Sequence, residues 1–174
     1  MQHSNSFREA ADRAVAERQK RRTKTVIETT LVSNPLTEAL LTVDKDIESR
    51  RLASAEKELL TLLKKYPKGA PRIYYSLGRV ASLSAEGIAN TTEVNKRLIR
   101  AKTFFERALG AATPNTDREL ISLTYVSLGR IYEFYDQKEY AVKIYDAAMQ
   151  FGSTDGEGFK KAFEAKQKLV SKNE

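Results

Sequence analysis

Tyr125-Val126-Ser127-Leu128-Gly129-Arg130-Ile131 restates Tyr74-Tyr75-Ser76-Leu77-Gly78-Arg79-Val80, with five of seven positions identical. The other two exchange Tyr for Val and Val for Ile. Each copy is followed by a second motif: Ala101-x3-Phe105-x2-Ala108 after the first and Ala141-x3-Tyr145-x2-Ala148 after the second. Spacings of three and four put these residues on one face of a helix. The expected unit is therefore a pair of packed helices. Glycine on the first helix should face small alanines on the second so that the backbones approach, with aromatic and leucine side chains filling the gaps beside them.

Working outward, the rest of the chain reads as helices too. Asn34-Pro35 is an N-cap followed by proline at the first helical position, ahead of Leu36, Ala39, Leu40, Val43 and Ile47. Leu52 to Tyr66 forms a second apolar stripe, stopped by Pro67-Lys68-Gly69. A third helix starts near Pro71 and ends near Gly87. Asn90-Thr91-Thr92-Glu93 and Thr116-Asp117-Arg118-Glu119 have the spacing of capping boxes before the fourth and fifth helices. Asp136 to Glu139 opens a sixth, which Gly152 suits as a C-terminal cap. Thr154 to Glu157 opens a last one through Phe159 and Phe163. No segment of four or more residues reads convincingly as a strand. The predicted class is all-α, with six or seven antiparallel helices.

Composition agrees. The 174 residues are 41% hydrophobic and 30% charged, a foldable mix, and eight Gly with four Pro are too few for many short strands. There is no Cys and one His, His3, which excludes thiolate chemistry and leaves almost no room for a Ser-His-Asp triad or a histidine metal site. No metal, cofactor or catalytic residue is expected. No apolar run is long enough to span a membrane, and the first 25 residues carry no signal-peptide core. Zero Cys slightly favours the cytoplasm and also fits a periplasmic segment of a longer precursor. The net charge of +7 is uneven: residues 1–24 hold seven basic and three acidic groups, densest from Arg18 to Lys24. Residues 1–33, read as a basic arm or helix that is partly linker, are set apart from a helical domain at 34–174. The arm could neutralise nucleic-acid phosphates, although no base-reading module follows it.

At the two restated motifs the sequence resembles the tetratricopeptide repeat family, whose signature is an aromatic, two residues, Leu-Gly, two residues, Tyr, then Ala, three residues and an aromatic. Tyr125, Leu128, Gly129, Tyr132, Ala141, Tyr145 and Ala148 match it. Tyr74, Leu77, Gly78, Ala101, Phe105 and Ala108 match in the preceding unit. There Ala81 replaces the usual Tyr, and eleven extra residues follow, read as longer helices plus a longer turn around Ser84 to Arg97. An earlier half-match, Ala55-x3-Leu59-x2-Leu62, has Val43 on its partner helix where glycine would be. Units fall at about 34–69, 70–113 and 117–152, with a capping helix over 155–172.

The resemblance implies a right-handed superhelix whose first helices line a concave groove, and a non-catalytic scaffold or adaptor that binds a peptide or partner protein there. It places Arg79 and Arg130 in the groove at equivalent positions, with Arg72 and Tyr75 on the face of Arg79 and Val126 and Glu133 flanking Arg130. Forked guanidinium groups suit an acidic segment. Arg79 has no acid three or four residues away, whereas Glu133 lies within i+3 reach of Arg130. The Lys/Asn pattern of the chaperone-tail-binding members is not reproduced, so that ligand is not carried over. Two other roles are an accessory helical domain of a larger enzyme or assembly protein, and a nucleic-acid-associated adaptor acting through the basic arm.

Overall fold

Packing apolar stripes at helical spacing produces helices and nothing else. The computed structural model describes residues 34–171, and among them there are seven α-helices and no strand. They are α1 (Pro35–Glu48), α2 (Leu52–Lys65), α3 (Ala70–Ser84), α4 (Thr91–Gly110), α5 (Arg118–Phe134), α6 (Lys138–Phe151) and α7 (Glu157–Ser171), with a 3-10 turn at Pro67–Gly69. The basic arm lies outside the described residues. The chain divides into two compact units between Glu38 and Ala39. Of the first, the description covers Asn34 to Glu38, where the Asn34 side chain accepts from the Leu36 backbone N–H at 3.0 Å, as expected for an N-cap.

In the second unit, α3 packs most extensively on α4, α5 on α6, and α6 on α7; α5 also meets α4 and α7. Two of the hydrophobic clusters among the described residues follow the repeat. Tyr75, Ala101, Phe105, Ala108, Leu128 and Ile131 belong to one. Val126, Ala141, Tyr145, Ala148, Ala162 and Leu169 belong to the other. The signature alanines are all buried, as are Leu77 and Leu128. Tyr74, Tyr125 and Tyr132 sit half-buried at the edges, where Tyr74 stacks on Phe104, Tyr125 on Phe151, and Tyr132 meets Tyr140 edge-on.

The glycines do not face alanine. A Cβ on Gly78 would overlap the Phe105 ring, 2.6 Å from Cδ1, and one on Gly129 would lie 2.7 Å from Cζ of Tyr145. The missing side chain makes a notch, and the aromatic ring of the second helix fills it. Alanine brings the helix close, but a flat ring reaches across the gap and takes the space.

Local signals also shifted. Asn90 caps α4 as expected, accepting from the Glu93 N–H at 3.0 Å, but the Glu93 carboxylate turns to Arg97. The α5 cap is Asp117, one residue later than the capping-box spacing suggests: its carboxylate accepts from Glu119 N–H, while the Thr116 hydroxyl accepts from Thr113 N–H. Glu119 is then free to accept from the Gly158 N–H at 2.6 Å, so one helix start caps another. Gly152 is the C-cap of α6 in extended, not left-handed, backbone. It is small because the Ser122 hydroxyl and Phe159 press on it. Two tight corners use non-glycine residues in left-handed backbone, Arg50 and Asp136, with φ of 60° and 57°.

Candidate functional site

A cavity of about 530 Å³ opens where α3, the start of α4 and α5 meet, with Lys161 of α7 at its edge. Its apolar wall includes Leu98, Phe105, Leu123, Val126 and Ile131. That volume lies within the range of ligand-binding clefts. Charged groups at its rim are Arg79, Arg130, Lys161 and Glu86. Of the six groove residues expected from sequence, the structure brings Tyr75, Arg79, Val126 and Arg130 to this one cavity. Arg72 and Glu133 are not among its lining residues.

The partners of the two equivalent arginines differ in a way local spacing did not suggest. Arg79 donates to Oδ1 of Asp44 at 2.7 Å, and Arg72 donates to Oδ2 of the same carboxylate at 3.2 Å. Asp44 sits on α1, 35 and 28 residues away, beyond any i±4 search. Arg130 forms no hydrogen bond or ion pair among the described residues, although Glu133 lies one turn along. The Glu133 charge instead acts on Tyr145. Burial first, then Glu133, push the Tyr145 phenol well above the ordinary tyrosine value. The Tyr145 hydroxyl nonetheless meets no hydrogen-bond geometry, with Glu133 or with any other group.

The remaining rim charges are compensated. Lys161 pairs with Glu157, one turn before it on α7, and Glu86 pairs with Arg50 at 2.7 Å. Tyr75 records the local field: burial raises its phenol, while Arg79, Arg72 and Lys161 pull the other way. The Arg72 guanidinium lies over the Tyr75 ring, 5.8 Å from its centroid. Lys161 and, more weakly, Arg79 hold the Glu157 carboxyl below its usual range.

Several lining residues were not singled out from the sequence. Phe134, 55% exposed, follows Arg130 by one turn, so i+4 spacing alone puts it on the same face. Val94 lies in the inserted stretch and Leu98 just after it, and their own i, i+4 stripe was the available signal. Asp44 and Lys161 carried none, because what matters is which helix lies beside them. No helix among the described residues is long and apolar enough to cross a membrane, and no group of three or more His, Cys, Asp or Glu residues there could hold a metal ion. Compared with protein-family models, curated proteins and solved structures, the chain matches none.

Proposed function

We propose that this chain is a tetratricopeptide-type helical repeat protein and works as a non-catalytic adaptor, holding a peptide or a segment of a partner protein in the cavity between α3 and α5. The observation that carries the reading is the recurrence of one unit. Two helix pairs use the same glycine notch filled by an aromatic ring, and the arginine after each glycine reaches the same cavity. The superhelical stacking of the units and the scaffold role belong to this proposal. An apolar wall with a charged rim supports the reading, since it suits an apolar side chain of a bound segment with a polar group beside it.

Photo-crosslinking tests it. Benzoyl-phenylalanine replaces Phe134 at the cavity mouth, and in a second chain it replaces Gln150 on α6. The expected result is discrete protein adducts from position 134 in cells and none of the same mass from position 150. Equal adducts at both positions, or none at 134, would overturn the reading.

A further inference from the structure

The four charged groups at the cavity rim are not equally available. Arg79 is held by Asp44, Lys161 by Glu157, and Glu86 by Arg50. Arg130 is the rim charge left without an opposite partner among the described residues. It is exposed, it has Phe134 one turn beyond it, and the buried wall of Phe105, Val126 and Ile131 lies beside it. An unpaired guanidinium keeps its full fork of donors for an incoming carboxylate.

The first arginine position tells the complementary story. Asp44 offers one oxygen to Arg79 and the other to Arg72, the arrangement an acidic side chain of a ligand would otherwise adopt. The chain has placed its own carboxylate in that seat. Asp44 already offsets part of the Arg72–Arg79 charge, so a second ligand acid arriving there gains less than it would from a free guanidinium pair.

Resting on the groove reading above, we infer that the partner segment presents one acidic side chain next to one large apolar side chain. The acid is fixed by Arg130 and the apolar group enters against Phe105, Val126 and Ile131. Asp44 is a specificity-determining residue: it occupies the Arg72–Arg79 seat and makes the groove select one acid over two. Charge complementarity commits the occupant to an acidic, not a basic, peptide.

The test uses the full chain and four acetylated, amidated hexapeptides, titrated while backbone amide resonances are followed. One peptide carries a central Leu-Glu, one Leu-Gln, one Ala-Glu, and one Leu-Glu with a second Glu two residues on. The Leu-Glu peptide should move the amides of Val126, Ser127 and Ile131. The Leu-Gln and Ala-Glu peptides should each bind about tenfold more weakly. Arg130→Gln should abolish the preference for Glu over Gln, with an unchanged melting curve because that side chain holds nothing else. Asp44→Asn should raise affinity for the two-acid peptide about tenfold. If groove amides move but Arg130→Gln keeps the preference for Glu, or the two-acid peptide binds wild type as tightly as it binds Asp44→Asn, this inference fails and the groove reading stands. If no peptide moves any groove amide, both fail.

Discussion

The α3–α4 pair and the α5–α6 pair share a glycine notch and differ in almost everything around it. In the first, Phe105 fills the notch; four residues after the glycine stands Ser82, and the connection runs from Ala85 to Asn90 through Gly87 at φ +73°. In the second, Tyr145 fills the notch, the equivalent residue is Glu133, and three residues with Asp136 in left-handed backbone make the turn. The arginine after each glycine has a different fate as well, bound to Asp44 in one pair and open in the other. A shared packing device thus fixes where two helices meet. What the neighbouring helix supplies decides what the same residue type can do.

The notch itself should give the largest effects. Gly129→Leu forces a branched side chain into the Tyr145 ring and should cost about 3 kcal/mol, lowering the melting temperature by roughly 6–12 °C for a chain of this size. Gly78→Leu should behave alike, and a difference beyond about 1 kcal/mol between them would mean that the two notches are not equivalent. In the double variant Gly129→Leu/Tyr145→Leu the ring is gone. The combined loss should therefore fall short of the sum of the single losses by at least about 1 kcal/mol in a thermodynamic cycle.

The caps come next. Asn90→Ala removes the side-chain acceptor at the start of α4 and should destabilise by about 1 kcal/mol. Its signature is local: amide exchange should speed up over the first two turns of α4 and stay unchanged near Phe105. Asp117→Ala should cost a similar amount but spread further, since the same helix start holds Glu119, which caps α7. Exchange measurements that found α7 unaffected by Asp117→Ala would uncouple those two helix starts.

The smallest effects test the hydroxyl that separates the two rings. Tyr145→Phe removes a buried hydroxyl with no hydrogen-bond partner and should be neutral or stabilising by up to about 1 kcal/mol in denaturant unfolding. The phenol is also harder to ionise in the folded chain than in the unfolded one. Its contribution is fully present below the unfolded tyrosine value and is lost as pH rises past about 10. Wild type should therefore lose stability between about pH 9.5 and 11 more steeply than Tyr145→Phe. Parallel slopes would show that Tyr145 ionises alike in both states. Tyr75 and Tyr132, also raised by burial, contribute equally to both chains.

How much of this was legible follows from which forces are local. Helical spacing, Asn34 and Asn90 as caps, and the breaker at Pro67 to Gly69 act within four residues, and they locate most helices to within a residue or two. The corner at Arg50 carries no glycine signal, yet its left-handed backbone is stabilised by N–H groups of Arg50 and Arg51 reaching back to Ile47 and Asp46. The repeated motif placed Tyr75, Arg79, Val126 and Arg130 on one cavity because equivalent positions face equivalent ways. It could not say that Asp44 would hold Arg79, nor that Glu133 would leave Arg130 alone. Those outcomes depend on side-chain reach between helices, which a linear spacing does not encode.

The eleven residues that lengthen the α3–α4 pair are distributed in a telling way. From glycine to aromatic, one falls at the end of α3, three in the connection and seven at the start of α4, compared with the α5–α6 pair. Seven residues turn a helix through about 700°, only about 20° short of two full revolutions. Phe105 therefore keeps its heading toward Gly78 while α4 gains an overhang of roughly 10 Å. Val94 on that overhang and Leu98 just beyond it help to wall the cavity. A helix pair of this kind has a natural increment of growth. Extensions of seven raise the rim and leave the joint intact, whereas an extension of five would swing the aromatic ring by about 140° and unseat it. The depth of the groove is in that sense geared to helical pitch and can change only in whole clicks.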